Sequence, residues 1–334
     1  MSILYVVSDR PGAGKTAVCM ALTKLLRAQS KSVVAIKPVA DDADDSDAEM
    51  YASLLGVDTT GWPVAVAEDV RAGNLDEVSA LINSLSAEND IVIVEGSTGL
   101  AGTLGRIVCD NVDAKVLVVA GYDASLSHGV VLTTGAPYGG RVIGYIINGV
   151  TQYMGTEARA NLVPPIAAQA SMRGARVLGL IPEDRCLLGV SVSQIMAHLD
   201  GELISEEMEE DALVEYLMVG GLSLDPGEYY YGIHDNRAAI VRGDRPDLQM
   251  SALSAPGLTA CLVATGGIAP IEYVQYEAEQ EETPIILVQT DTLDTMARLD
   301  NLLESSSFSH PDKLKRSVAL LDEHVDVEGL LHAL

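Results

Sequence analysis

Short apolar runs alternate with stretches of helical periodicity along the first 200 residues of the chain. The runs are rich in valine and isoleucine, as is typical of strands buried on both faces of a parallel sheet. The stretches between them place apolar residues at helical spacing, so the pattern predicts an α/β fold, a mostly parallel sheet with helices on both faces. The predicted strands are residues 3–7, 32–37, 90–95, 115–120, 141–147 and 176–181, and the predicted helices are residues 15–27, 75–86, 125–134 and 157–172. Pro164 and Pro165 are expected to break or kink the last helix.

A second, smaller α/β pattern follows. The acidic run at residues 205–211 is typical of a solvated helix start and marks a domain boundary. Beyond it, strands are predicted at residues 238–241, 259–264 and 284–288, with helices near 247–254, after Pro270 and from Leu293. Residues 311–334 have helical spacing that is interrupted near Asp326. We therefore expect a first domain at residues 1–202, a second at 203–310, and a C-terminal helical segment at 311–334.

Composition and charge narrow the choice of partners. Apolar residues make up 48% and charged residues 21% of the chain, which is enough apolar material for a packed core. The net charge of −27 repels phosphate backbones and anionic lipids, so nucleic acid and membranes are not expected partners. The four cysteines form no C-x-x-C pair, and no stretch reaches the ~18 apolar residues of a membrane span. A cytoplasmic protein with buried, reduced cysteines is expected.

The strongest chemical signal lies between the first predicted strand and the first predicted helix. It reads Ser8-Asp9-Arg10-Pro11-Gly12-Ala13-Gly14-Lys15-Thr16, followed by Ala17. In a phosphate-binding loop, the backbone N–H groups of residues 12–17 cradle phosphate, Lys15 reaches the β and γ phosphates, and the Thr16 hydroxyl binds Mg²⁺. Asp9 departs from the pattern, which has glycine there. A chance Gly-x-Gly-Lys-Thr turn is the alternative. The strand-to-helix position favours a phosphate loop, and with it an α/β fold of the P-loop NTPase type.

This loop resembles that of dethiobiotin synthetase and its relatives. Lys37-Pro38-Val39, at the end of the second predicted strand, resembles the family's lysine that reaches toward phosphate and substrate, so Lys15 and Lys37 are the implied catalytic residues. Ser46-Asp47-Ala48 resembles the segment that carries a magnesium-binding aspartate, which makes Asp47 a metal ligand beside Thr16. The neighbouring Asp42, Asp44 and Asp45 are expected to form a solvated loop.

Later strand ends extend the resemblance. Glu95, followed by glycine, resembles the family's second magnesium-side acid. Asn148 stands where this superfamily contacts the base, and the neighbours that read guanine are absent, so adenine is the expected base and ATP with Mg²⁺ the expected ligand. Pro182 and Glu183 are expected on the far side of the base. Arg10 occupies the place of a lysine that crosses to the partner subunit's phosphates in related dimeric ATPases, with an exposed arginine as the equal alternative.

The second half resembles the DRTGG domain. The matching residues are Asp244 and Arg245 followed by Pro246-Asp247, then Thr265, Gly266 and Gly267 after an apolar run. An ion pair closing a turn and an anion or effector site are both open for Asp244 and Arg245. A synthetase-like P-loop domain followed by DRTGG resembles the N-terminal half of long bacterial phosphate acetyltransferases, and the transferase part of those enzymes is not matched here.

Two functions follow from these resemblances. In the first, the protein is a nucleotide-dependent regulator: ATP and Mg²⁺ occupy the P-loop, and the bound state is passed to the DRTGG domain and to a separate enzyme of acyl-phosphate metabolism. In the second, the protein is an ATP-dependent ligase of the dethiobiotin synthetase type acting on a small carboxylate or amine. Asp41, standing where the synthetase has a small hydroxyl residue, disfavours dethiobiotin synthesis itself. A homodimer without acetyltransferase activity is expected.

Overall fold

The computed structural model describes residues 1–67, 70, 72–172, 174–204, 211–221, 227–300, 302 and 306–334, with only the backbone of 72–74, 227 and 228. Most of the acidic run predicted as a boundary, residues 205–210, lies outside the described residues. The chain forms two compact units. The first comprises Met1–Asp184 together with Lys313–Leu334, and the second comprises Arg185–Asp312.

The first unit is built on a six-stranded parallel sheet in the order β2-β5-β1-β6-β7-β8. All six strands predicted for this part of the chain are present. Their valine- and isoleucine-rich runs are almost wholly buried, since helices cover both faces of the sheet. The strands of this unit are β1 (Ser2–Ser8), β2 (Val33–Ile36), β3 (Val39–Ala40), β4 (Ala65–Val66), β5 (Ile91–Glu95), β6 (Lys115–Gly121), β7 (Val142–Val150) and β8 (Arg176–Pro182).

The four helices predicted for this unit are present, and two more were missed. Pro164 and Pro165 were expected to break or kink the last helix. The prediction of a break was wrong, because the helix continues through both prolines, and a kink stays a prediction. Its buried face, which includes Leu162 and Ile166, keeps the segment packed where local propensity would end it. The helices of this part are α1 (Lys15–Ala28), α2 (Asp47–Leu55), α3 (Ala72–Glu88), α4 (Thr103–Asn111), α5 (His128–Gly135) and α6 (Gly155–Ser171), and α2 and α4 are the missed ones.

The C-terminal segment returns to the first unit. As predicted, its helicity is interrupted at Asp326, whose carboxylate accepts a hydrogen bond from the Gly329 backbone N–H as an N-cap. The Asp326 backbone N–H donates to the Leu178 carbonyl at 2.8 Å, and Val325 forms a β-bridge with Gly179. These contacts fix the segment against β8. Its helices are α13 (Pro311–His324) and α14 (Val327–Ala333).

The second unit has a five-stranded sheet in the order β10-β15-β14-β13-β12, parallel except for β10. The strands and helices predicted at residues 238–299 are present, and the shorter elements before them were missed. The strands are β9 (Val190–Ser191), β10 (Glu202–Leu203), β11 (Leu213–Val214), β12 (Tyr216–Val219), β13 (Arg237–Arg242), β14 (Thr259–Thr265) and β15 (Ile285–Leu287). The helices are α7 (Arg185–Leu188), α8 (Val192–His198), α9 (Gly227–Tyr231), α10 (Pro246–Ser254), α11 (Glu272–Gln280) and α12 (Thr292–Leu299).

No helix in the described part of the chain is both long enough and apolar enough to span a lipid bilayer. All four cysteines are free thiols. Cys19, Cys109 and Cys261 are buried as expected, whereas Cys186 is half-buried.

Candidate functional site

The predicted phosphate loop joins the carboxyl end of β1 to the first turn of α1. Gly12 (φ 71°) and Gly14 (φ 89°) take left-handed backbone conformations, which glycine adopts without steric cost. A Cβ atom on Gly14 would lie 2.2 Å from Nδ2 of Asn148. The loop therefore needs glycine at position 14 both for its backbone conformation and for the approach of β7.

Lys15 and Thr16 begin α1 and aim their side chains at neighbouring strand ends. Lys15 is 6% exposed, and its Nζ donates to Ser8 Oγ at 3.0 Å and to Thr98 Oγ1 at 2.8 Å. The Thr16 hydroxyl donates to Glu95 Oε1 at 2.8 Å. The loop thus holds its amine and its hydroxyl beside the carboxyl end of β5, where ligands of open parallel sheets bind.

Glu95 is a nearly fully buried carboxyl group between α1 and α2. Besides Thr16, it accepts a hydrogen bond from the Tyr51 hydroxyl at 2.8 Å. Burial, together with the charge of Asp47, raises the pKa of Glu95 to about 7, although Lys37 and Lys15 oppose the rise. The pKa of Asp47 is raised as well, mainly by burial. A bound cation would offset the cost of charging Glu95 in this buried position.

Lys37 lies at the centre of a buried ion cluster at the end of β2. Burial alone would lower its pKa, but Glu95 and the hydrogen-bonded carboxylates Asp45 and Asp47 outweigh burial and raise it. Lys37 Nζ lies 3.0 Å from Asp41 Oδ2, 2.6 Å from Asp45 Oδ2 and 2.5 Å from Asp47 Oδ2. The lysine is therefore held charged among these carboxylates at the end of β2.

The prediction of a solvated loop was wrong for Asp45. Its side chain is 8% exposed, pairs with Lys37, and accepts backbone N–H groups from Asp41 and Asp47. Those interactions lower its pKa against the effect of burial, so the carboxylate organises the loop from within. Asp42 and Asp44 are exposed, as predicted.

The oxygen donors in this cluster fit a hard cation. Thr16 Oγ1 and Glu95 Oε1 are 2.8 Å apart, and the neighbouring Asp47 supplies a second carboxylate whose charge disfavours that of Glu95. In the described part of the chain, no three His, Cys, Asp or Glu side chains are grouped so as to hold a metal ion by themselves. Magnesium bound with nucleotide commonly takes one or two carboxylates and completes its shell with phosphate oxygens and water, which suits this donor set.

Sequence reasoning missed three polar residues of this site. Ser97 and Thr98 directly follow the strand-end glutamate and its glycine, and this position could have flagged them. Tyr51 lies four residues after Asp47 on α2, a spacing that puts both side chains on one helix face. The helix itself had not been predicted, so that signal was not available.

Three further residues predicted to contact the nucleotide lie at the ends of β7 and β8. The Asn148 Nδ2 group donates to the Ala13 carbonyl at 3.0 Å, so in this state the amide supports the P-loop. Pro182 ends β8 beside β7, and the exposed Glu183 donates its backbone N–H to the Val150 carbonyl. Asn148 and Pro182 thus lie at the carboxyl ends of neighbouring strands.

Arg10 is engaged within its own chain. Its guanidinium pairs with Asp123, donates to the Gly121 carbonyl, and lies 3.2 Å from Asp9 Oδ2. Asp9, which replaces the pattern's glycine, accepts the Gly121 backbone N–H at 2.9 Å. The departure from the P-loop pattern therefore ties the loop to the end of β6.

In the second unit, the predicted effector residues lie at the carboxyl ends of β13 and β14. Asp244 pairs with Arg242, and Arg245 pairs with Asp247. The buried Thr265 hydroxyl lies 2.8 Å from that of Thr292. Gly266 and Gly267 are left-handed, and their backbone N–H groups bind the carbonyls of Thr290 and Val288. These residues form the turns at this sheet edge.

Comparison with known families accounts for both units. A family model described as an AAA domain matches residues 2–189, more than half of the chain. A second model, the DRTGG domain, matches residues 194–302.

Curated relatives fall into two groups. Phosphate acetyltransferase of Synechocystis sp. is 23% identical, and the match covers 100% of this chain and 52% of that enzyme. ATP-dependent dethiobiotin synthetase of Streptomyces avermitilis is 30% identical, and the match covers 54% of this chain and 84% of that enzyme. The chain thus spans about half the length of the phosphate acetyltransferases it matches.

Among solved structures, MinD of Aquifex aeolicus matches 56% of this chain and 85% of that chain, with 18% identity and a TM-score of 0.39.

The strand order, the P-loop geometry and the two family matches agree on one assignment. The chain belongs to the AAA-domain family as a dethiobiotin synthetase-like P-loop domain, and it continues into a DRTGG domain.

Proposed function

We propose that this protein binds ATP and Mg²⁺ at its P-loop and serves as a regulator, related to the non-catalytic N-terminal half of phosphate acetyltransferase and without acetyltransferase activity of its own. Lys15 and Lys37 neutralise the phosphates, and Thr16, Asp47 and Glu95 hold the metal ion. When bound, Mg²⁺ would supply positive charge that stabilises the phosphates and the buried carboxylates.

One observation carries the proposal: the 2.8 Å contact between the Thr16 hydroxyl and Glu95 Oε1. A P-loop hydroxyl and a strand-end carboxylate, far apart along the chain, meet at the loop where phosphate would bind. A buried carboxyl group with a pKa near 7 is costly to keep charged without a cation. Nucleotide-bound Mg²⁺ would provide that cation.

Chain connectivity supports a regulatory role. The chain leaves the first unit after Asp184, directly beyond the predicted base residues Pro182 and Glu183, and it returns at Lys313. The two connections are joined within the first unit by an ion pair, with Arg316 Nε 2.8 Å from Asp184 Oδ2. A base contacting residues 182–183 would act on both connections to the DRTGG unit.

The finer features of the proposal follow from the sequence. We propose adenine as the base, since Asn148 lacks guanine-reading neighbours. We also propose a cytoplasmic homodimer in which Arg10 leaves its contacts in the same chain when it reaches a partner's phosphates, and a separate acyl-phosphate-metabolising enzyme as the regulated partner.

Calorimetry with Mg·ATP tests the nucleotide site. Lys15→Ala removes the amine closest to the expected phosphates, so ATP affinity should fall at least about tenfold, which corresponds to about 1.4 kcal/mol. Lys24→Ala, at an exposed position on the same helix, should bind as the unmodified protein does. Equal affinity of the Lys15→Ala variant would refute the P-loop assignment.

A further inference from the structure

Asp41 is held by hydrogen-bond donors from two neighbouring strand ends. Its Oδ1 accepts the Ser97 hydroxyl at 2.6 Å and the Thr98 backbone N–H at 2.7 Å. Its Oδ2 accepts Lys37 Nζ at 3.0 Å. Both carboxylate oxygens are therefore bound, as in a site that recognises a small carboxylate.

These contacts exceed what an ion pair for Lys37 would require. Lys37 is already paired with Asp45 at 2.6 Å and Asp47 at 2.5 Å, so its charge is matched without Asp41. The Oδ1 atom of Asp41 turns instead to Ser97 and Thr98. Without Asp41, the Ser97 hydroxyl and the Thr98 N–H would lose the acceptor that they share, and an unpaired buried donor is destabilising.

The position of this donor set gives it a chemical meaning. The Thr98 hydroxyl accepts a hydrogen bond from the P-loop amine of Lys15 at 2.8 Å, and the Thr98 backbone N–H donates to Asp41. Thr98 therefore connects the Asp41 carboxylate to the amine that is expected to hold the γ phosphate. The Asp41 side chain is 34% exposed, so solvent and small solutes reach this point. An anion bound here would be a neighbour of the nucleotide phosphates.

We propose that Asp41 is an internal ligand that fills a binding pocket for a small carboxylate beside the P-loop and so excludes an external one. This proposal rests on the proposed function. Because the chain itself fills the pocket, nucleotide is bound without a carboxylate co-substrate. Asp41 is the residue that decides this specificity.

Rescue by formate tests the proposal without nucleotide. Asp41→Ala empties the pocket, and sodium formate should then stabilise the variant saturably in thermal unfolding, compared with sodium chloride at the same ionic strength. At tenfold formate over its dissociation constant, the folding equilibrium constant should rise about elevenfold. Asp41→Asn keeps the pocket filled, and Asp44→Ala removes an exposed neighbouring acid. Neither these variants nor the unmodified protein should distinguish formate from chloride.

The outcomes separate this inference from the nucleotide proposal, because ATP is absent from the titration. A variant that folds when formate is present and not otherwise would support the pocket as well. Asp41→Ser, which leaves part of the space open, repeats the test with a different side chain. Formate and chloride acting alike on both Asp41→Ala and Asp41→Ser, or a formate effect as large on Asp44→Ala, would overturn the proposal. Failure of both Asp41 variants to fold with formate would overturn it too.

Discussion

At the scale of single residues, the site is dominated by the burial of charge. Glu95 is 2% exposed and is bound by the hydroxyls of Thr16 and Tyr51. The Lys37 residue is 4% exposed and forms ion pairs with three aspartates. Charges taken out of water are tolerated when they are paired and hydrogen-bonded. The hydrogen bonds from Thr16 and Tyr51 to Glu95 come from neutral hydroxyl groups. Its protonation should therefore depend on pH near neutrality.

This state of Glu95 predicts a pH-dependent stability. The pKa is about 7 in the folded protein against 4.5 for the ordinary group, so the folded state keeps a proton that the unfolded chain loses. The contribution is complete below pH 4.5 and is lost as the pH rises to 7. The Glu95→Gln variant has no carboxyl group at this position, so its stability does not include this pH-dependent contribution. Its free energy of unfolding, relative to the unmodified protein, should rise by on the order of 3 kcal/mol between pH 4.5 and 7.5.

Urea unfolding at both pH values, with chelator and without nucleotide, measures this difference. Glu49→Gln, at an exposed position on α2, serves as the control and should show no such trend. A Glu95→Gln variant whose relative stability is the same at both pH values would contradict the raised pKa.

At the scale of elements, close backbone approach decides how the C-terminal segment packs. A Cβ atom on Gly179 would lie 2.1 Å from the His324 carbonyl oxygen and 2.9 Å from the Val325 Cα. Both are backbone atoms, so no side-chain rotation can relieve the clash. The segment after α13 can lie against β8 because position 179 is glycine.

Gly179→Ala should therefore loosen this contact. We expect a destabilisation of about 1–3 kcal/mol, the usual cost of overpacking, with faster hydrogen exchange at residues 313–334. Gly155→Ala is the matched control, since position 155 has open space around it and begins α6. Denaturant unfolding and exchange mass spectrometry report the two effects, and unchanged exchange at the C-terminal segment would contradict the expectation.

At the scale of the whole molecule, the DRTGG unit is an insertion between two parts of the P-loop unit. Its boundaries, after Asp184 and before Lys313, are joined by the pair of Asp184 with Arg316. Coupling between two sites is reciprocal. A ligand of the second unit should therefore change the affinity for ATP by the same factor by which ATP changes the affinity for that ligand.

Arg316→Ala should weaken this coupling. In the unmodified protein, Mg·ATP is expected to slow hydrogen exchange within residues 237–291; in the variant this response should shrink, while ATP affinity changes less than about twofold. Arg159→Ala, at an exposed position on α6, should leave the response intact. A full response in Arg316→Ala, or none in the unmodified protein, would speak against transmission through this pair.

The sequence alone determined the elements whose signals are local. Valine- and isoleucine-rich runs predicted the six strands of the first sheet, because a strand buried on both faces consists of consecutive apolar residues. The residues Gly12, Gly14 and Lys15 predicted the phosphate loop, because such a loop binds phosphate with backbone groups that are consecutive in the sequence. The interruption at Asp326 was likewise visible as a change in local periodicity.

Tertiary structure decided what depends on residues far apart in the chain. Asp45 is buried since Lys37 lies beside it, and α6 continues through Pro164 because its apolar face is packed on the sheet unit. Asp41 meets Ser97 because β2 and β5 are neighbours in the sheet. Burial and partner choice are properties of the assembled sheet edge, where strands distant in sequence end side by side, and no local pattern records them.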